Sequence, residues 1–269
     1  MGKDKDIRGK LAVVTGASSG IGLCFCRELA KRGCKLLMVS NQEKELAECA
    51  SEIAVEYGVH AYPLYVDLTS PSAPEEILGY LDSYALKADY LINNAGIFSF
   101  RPVIDTDPRK LDCFIRLHVD AVTNLSRAFA LRFKEASKGR ILNMSSMSCW
   151  MPMPGIAMYS ATKAYIRVFS RALHYEMRDY GVTVTVACPG GIATDLFGLS
   201  EPLKKFAIAI RVLDTPESFA RKAVNKMLKG KKQYINGLLN RISIVFVASL
   251  PTPVRMLVKR KMLDKGITR

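Results

Sequence analysis

The chain has 269 residues, 49% of them apolar, enough to bury one sizeable core without division into separate domains. Its seven cysteines are odd in number and form no CxxC or Cys/His cluster, which argues against a disulfide framework or a zinc site and for reduced thiols in a cytoplasmic setting. The net charge of +14 is concentrated: from Arg221 onward thirteen Lys and Arg face one acid, Asp264, so that end should meet something acidic, namely a membrane surface, a nucleic acid or a charged substrate.

The first ten residues, MGKDKDIRGK, are polar and lack the apolar core of a signal peptide, and Asp6 stands where a myristoylation signal carries Ser or Thr. Leu11 to Val14 reads as a strand, Ile21 to Lys31 as an amphipathic helix closed by Gly33, and KLLMVS as a second strand. A helix over Gln42 to Tyr57 and a strand over Ala61 to Val66 follow. The alternation continues with helices over Pro74–Tyr84, Pro108–Phe133, Met158–Tyr180 and Pro216–Leu228. Between and after them lie strands at Tyr90–Ile92, Arg140–Met144, Val182–Ala187 and Gln233–Ile235. Seven strands alternating with helices predict one α/β domain over residues 1–269, a doubly wound parallel sheet with helices on both faces.

Between the first strand and helix lies TGASSGIG, with Gly16, Gly20 and Gly22. In a strand–loop–helix context this spacing predicts a dinucleotide site. Gly16 makes the tight turn, Gly20 admits a pyrophosphate to the backbone, and Gly22 lets the helix pack on the sheet. Ser18, Ser19 and Ile21 belong to the same loop and helix end, where free N–H groups bind phosphate. The second strand ends at Ser40-Asn41. An acid there would bind the ribose of NAD and repel the 2′-phosphate of NADP; neutral residues leave NADP(H) preferred and NAD(H) still acceptable. Asp67 and Leu68, after the third strand, are placed to meet the adenine, although Asp67 could equally cap a helix. Asn94, Ala95 and Gly96 after the fourth strand allow close approach by a ligand, with Asn94 reaching a ribose or backbone.

Tyr159 and Lys163 are four residues apart, so on a helix they share a face. A lysine ammonium beside a phenol favours phenolate and would bring the tyrosine's pKa down from about 10, making it a proton donor and acceptor at working pH. Ser146 precedes Tyr159 by thirteen residues, at the end of the fifth strand.

In their order, TGASSGIG, NNAG, NMSS, YSATK and CPGGIAT resemble the short-chain dehydrogenase/reductase family over about residues 9–195. The resemblance implies a single Rossmann-type domain, a nicotinamide cofactor and reversible hydride transfer between an alcohol and a carbonyl. Carried onto this chain, Ser146 polarises the carbonyl oxygen, Tyr159 gives it the proton, and Lys163 holds the nicotinamide ribose while lowering the tyrosine's pKa. Pro189, Gly190, Ile192 and Thr194 fall in the loop that holds the carboxamide. Many members carry an asparagine on the helix after NNAG, where it anchors a water in the proton path. The matching stretch here is LHVDAVTNL, with His118 in that place. His118 either supports catalysis through such a water or is a packed, buried histidine.

Cys149, Trp150, Met151, Met153, Pro154 and Met158 border the substrate pocket in the family. Phe197, Leu199, Leu203 and Phe206 belong to a lid over 195–215. Large apolar side chains at both places point to a lipophilic ketone or alcohol such as an oxoacyl chain or steroid, although such stripes are also ordinary core. The 237–269 extension, apolar at Ile242 to Leu250 and then basic at KRK, is too short to span a bilayer, which takes roughly 20 residues. It is expected either to dock on protein or to lie against a membrane as a peripheral contact. No aromatic residues are interleaved with its lysines, so nucleic acid is not an expected partner. Long helices such as Leu111–Phe133 suit a homodimer or homotetramer. The alternative to an enzyme is a non-catalytic NADP-binding sensor or assembly module, which would have little need of Ser146, Tyr159 and Lys163 together.

Overall fold

Every position of Leu11–Thr15 (β1) is buried, as it must be in a strand covered on both faces. The same holds for Tyr90–Asn93 (β4) and Val182–Ala187 (β6). With Lys35–Ser40 (β2), Ala61–Tyr65 (β3), Gly139–Met144 (β5) and Gln233–Tyr234 (β7) they form one parallel sheet in the order β3-β2-β1-β4-β5-β6-β7. The computed structural model describes residues 6–190 and 214–264. Chain order reverses between β1 and β4, and that switch point opens a crevice at the carboxyl ends of the strands.

Strand alternation feeds two cores. Leu36 and Met38 point to one face, where Gly20–Ala30 (α1), Glu43–Tyr57 (α2) and Pro216–Leu228 (α7) bring Phe25, Leu46 and Phe219. Leu37 and Val39 point to the other, against Ile77 of Ala73–Ser83 (α3) and against Leu125, Phe129 and Phe133 of Ala121–Glu135 (α5). A polar network crosses this second face. Asn93 Nδ2 donates to Asn143 Oδ1 at 2.9 Å and to Ser126 Oγ at 3.2 Å, and Asn143 Nδ2 donates to Ser170 Oγ at 2.9 Å. It pins α5 and Ala157–Glu176 (α6) to β4 and β5 in one register, because any slip would strand a buried amide.

Two expected helices differ in detail. The helix over Pro108–Phe133 is interrupted: Pro108–Ile115 (α4) runs into a π-helical segment, Arg116–Asp120, before α5 begins. The wider turn carries His118 fully into the interior, a departure that hydrophobic periodicity does not encode. The helix over Met158–Tyr180 ends at Glu176, and a 3-10 turn, Arg178–Tyr180, leads to Gly181 at φ 72°. The C-terminal extension folds as Leu238–Ala248 (α8), Thr252–Val258 (α9) and a π turn, Lys259–Asp264. Among the described residues no helix is long and apolar enough to cross a membrane.

Candidate active site

The switch-point crevice is a cleft of about 580 Å³. The expected residues Gly16, Ser18, Ser19, Gly20 and Ile21 line its β1 side, and Ser40, Asn41, Asp67 and Leu68 its far end. Asn94, Ala95, Gly96, Ser146, Tyr159, Lys163, Pro189 and Gly190 complete it. Of the cofactor residues anticipated from sequence, Ile192 and Thr194 lie outside the described residues, as does the lid at Phe197, Leu199, Leu203 and Phe206.

The cradle fits a dinucleotide. Gly16 sits at φ 64°, a left-handed value, and a Cβ there would stand 2.9 Å from the Cα of Ala95. A Cβ on Gly22 would collide with the Gly16 carbonyl oxygen, so α1 can approach the turn only without a side chain. The helix begins at Gly20 with its positive end and free N–H groups facing the cleft. Asn94 serves the cradle rather than reaching out of it. Its Nδ2 donates to the carbonyls of Thr15 and Gly16 at 3.0 and 3.3 Å, while Thr15 Oγ1 accepts from the N–H groups of Asn94 and Ala95.

At the adenine end, Gln42 Oε1 accepts from Ser18 Oγ at 2.7 Å, and Ser40 Oγ lies 2.9 Å from Ser18 Oγ and accepts from the Gln42 N–H. The end of β2 is therefore a neutral hydroxyl and amide network, with no carboxylate to repel a 2′-phosphate. Gln42 gave no signal in sequence because its part depends on the Ser18 loop folding back against β2. Asp67 caps no helix: its Oδ1 closes a turn on Thr69, and Ser72 occupies the N-cap of α3.

At the nicotinamide end, Ser146 caps the 3-10 turn Met147–Trp150, accepting the Ser148 N–H at 3.1 Å, and shares the wall of the cleft with Tyr159. Burial pushes the Tyr159 phenol up, with the Ser146 hydroxyl opposing. This reverses the expectation that Lys163 brings it toward neutrality. The Lys163 ammonium sits 5.7 Å from the Tyr159 ring centre and donates to the Met144 carbonyl at 3.0 Å. Burial brings that ammonium down to about 8.

His118 uses both ring nitrogens. Nε2 accepts the Ile97 N–H at 3.1 Å, which leaves the proton on Nδ1 to be donated to Thr162 Oγ1 at 2.9 Å. Thr162 passes its own proton to the carbonyl of Met158 or Tyr159. Burial, then the Lys163 charge, holds the imidazole down to about 2, so it is neutral. The ring stands 6.0 Å, centre to centre, from Tyr159 and borders the site without lining the cleft. Of the two readings of His118, the geometry matches the packed histidine. The same two bonds also tie the loop after Gly96 to the helix bearing Tyr159 and Lys163. Ile97 and Thr162, its partners, carried no signal in sequence.

A Rossmann-type sheet, a glycine cradle at the switch point and a serine–tyrosine–lysine cluster at the other end of the cleft from Ser40 define a nicotinamide-dependent oxidoreductase, and the chain belongs to the short-chain dehydrogenase family, whose pattern spans residues 10–203. It is similar to the very-long-chain 3-oxoacyl-CoA reductase of Anas platyrhynchos, 34% identical over 92% of this chain and 78% of that one. Among solved structures, L-sorbose reductase from Gluconobacter frateurii complexed with NADPH superposes with a TM-score of 0.77 at 26% identity, over 86% of this chain and 96% of that one. The 3-ketoacyl-(acyl-carrier-protein) reductase from Brucella melitensis, complexed with NADH, gives 0.74 at 25%, over 86% and 98%. The chain is an oxidoreductase of that family.

Proposed function

We propose that this protein reduces a lipophilic ketone, of the 3-oxoacyl type, to the secondary alcohol with NADPH. The observation that carries the reading is that Ser146, Tyr159 and Lys163 line the end of the cleft opposite the neutral Ser18–Ser40–Gln42 network. NADPH bound in the cleft would supply the hydride. Ser146 would donate to the substrate's carbonyl oxygen, and Tyr159 would give that oxygen its proton. A phenol held up by burial starts in the protonated form, which suits reduction. Lys163, positive when the phenolate forms, would lower its cost, and the Pro189-Gly190 loop would orient the carboxamide. His118 is a positioning residue in this scheme.

Support for a lipophilic substrate comes from Phe98, set edge-on against the Tyr159 ring, from Leu111, Phe114, Ile156 and Met158, which line the small pocket at Tyr159, and from the oxoacyl-CoA reductase relative. Solvent-facing Leu131 on α5 and Val168 on α6 suit a homodimer or homotetramer, and the basic end suits a cytoplasmic protein peripheral to a membrane. The test is a screen of 3-oxoacyl thioesters, steroid ketones and polyols with NADPH and NADH, followed by loss of nicotinamide absorbance. Turnover of the polyols with none of the lipophilic ketones would overturn the substrate class, and no turnover of any carbonyl compound would favour a binding module.

A further inference from the structure

The C-terminal helices carry apolar side chains on the outside. On α8, Leu238, Leu239, Ile242 and Phe246 are 71%, 63%, 49% and 67% exposed. Their spacing of three and four residues makes one stripe. Met256 and Leu257 of α9 continue the exposed apolar surface. Arg241, Lys259 and Arg260 stand exposed among them, and the only acid after Arg221 is Asp264. An apolar stripe ringed by cations and almost free of acids matches the boundary of an anionic bilayer, where side chains enter the acyl region and cations meet phosphates. A protein partner for an apolar stripe would not call for so one-sided a charge.

The position of this surface points the same way. The side of α8 away from the stripe faces the active site. The Asn240 side chain lies directly against Gly190 of the cleft, and Asn236 Oδ1 accepts the N–H of Gly190 at 2.7 Å. The helix packs on the turn Met147–Trp150, next to Ser146. Further along, Leu263 is buried against Gly155, which together with Tyr159 lines a small pocket at the rim.

We propose that α8, α9 and the Lys259–Arg260 cations seat the protein on an anionic lipid surface, with the mouth of the substrate pocket beside that surface. Seating is independent of the redox reading; delivery of a lipophilic ketone from the bilayer rests on it.

The test is sedimentation of the full chain with phosphatidylcholine vesicles and with vesicles containing phosphatidylglycerol, with NADPH binding and NADPH-linked reduction of a water-soluble ketone as controls. Binding is expected to anionic vesicles only and to weaken with salt. The Lys259→Glu and Arg260→Glu variants should each lose at least about fivefold in partition, since one cation near such a surface contributes about that factor. Phe246→Asp with Leu239→Asp should abolish binding while leaving NADPH affinity unchanged. Equal partition into neutral vesicles, or none into either, overturns the proposal. So does a protein whose mass in solution falls to one copy in the Phe246→Asp variant, since the stripe would then be a contact between copies. Failure of ketone reduction with intact vesicle binding would strike the substrate reading alone.

Discussion

The Lys163 ammonium donates to the Met144 carbonyl oxygen at 3.0 Å and stands 5.7 Å from the centre of the Tyr159 ring. The two residues share a helix face, yet the lysine is anchored to the sheet and not to the phenol oxygen. The pair is therefore a half-buried acid and a buried cation with separate anchors, and each can be tested separately.

Tyr159→Phe keeps the ring's edge contact with Phe98 and removes only the proton. Turnover should fall by about 10²-fold or more, the usual contribution of a positioned general acid, with NADPH affinity changed little. Stopped assays of kcat beside a fluorescence titration of NADPH would check it. Parent-level kcat would remove the assigned acid.

Lys163 has a folded pKa near 8, below its value in an unfolded chain. The unfolded state then binds more protons between about pH 8 and 10.4, so stability should rise with pH across that window, and the burial penalty is fully present below it. Lys163→Met removes this titration. Melting temperatures of parent and variant at pH 7 and pH 10 should show the parent gaining on the variant at the higher pH. Parallel curves would mean the ammonium is solvated.

His118 has the same sign at acid pH. It stays neutral in the fold down to about 2, while an unfolded histidine protonates near 6.5. Each pH unit below that point should cost about 1.4 kcal/mol of stability. His118→Asn can accept the Ile97 N–H yet does not titrate, so its acid limb should be flatter between pH 6.5 and 4.5 in denaturant midpoints. His118→Leu leaves the Ile97 N–H without its partner and should lose about 1–3 kcal/mol, with kcat following stability. A leucine variant of full stability and low kcat would instead point to a proton path through the imidazole.

Ser40→Asp places a charge in the Ser18–Gln42 network that lines the cleft, where a 2′-phosphate would meet it. NADPH affinity should drop by about tenfold or more, and the preference should move toward NADH; about 1.4 kcal/mol of repulsion suffices for that factor. Titrating both cofactors checks it. An unchanged ratio would take Ser40 away from the phosphate.

Gly22→Ala sets a methyl group against the Gly16 carbonyl. It should lose about 1–3 kcal/mol of stability and weaken both cofactors alike, because the cradle must open to hold it. Equal NADPH affinity in the variant would show that α1 shifts at little cost.

The sequence by itself determined the sheet and the cradle. Strand–helix alternation is a local pattern, and Gly16, Gly20 and Gly22 announce a backbone that must turn and approach closely wherever the rest of the chain lies. The order Ser146, Tyr159, Lys163 was legible because all three flank one strand and its following helix. Tertiary structure alone decided the rest. A π turn at Arg116–Asp120 sets His118 between Ile97 and Thr162, and helical periodicity carries no sign of one extra residue in a turn. Burial, which depends on elements far apart in sequence, raised Tyr159 and lowered Lys163, where the i, i+4 spacing alone suggested that the ammonium brings the phenol down. The sense of Leu239 and Phe246 was equally open in the sequence. An apolar run can face the core or the solvent, and only the packing of Asn240 and Leu263 toward the site turned that stripe outward.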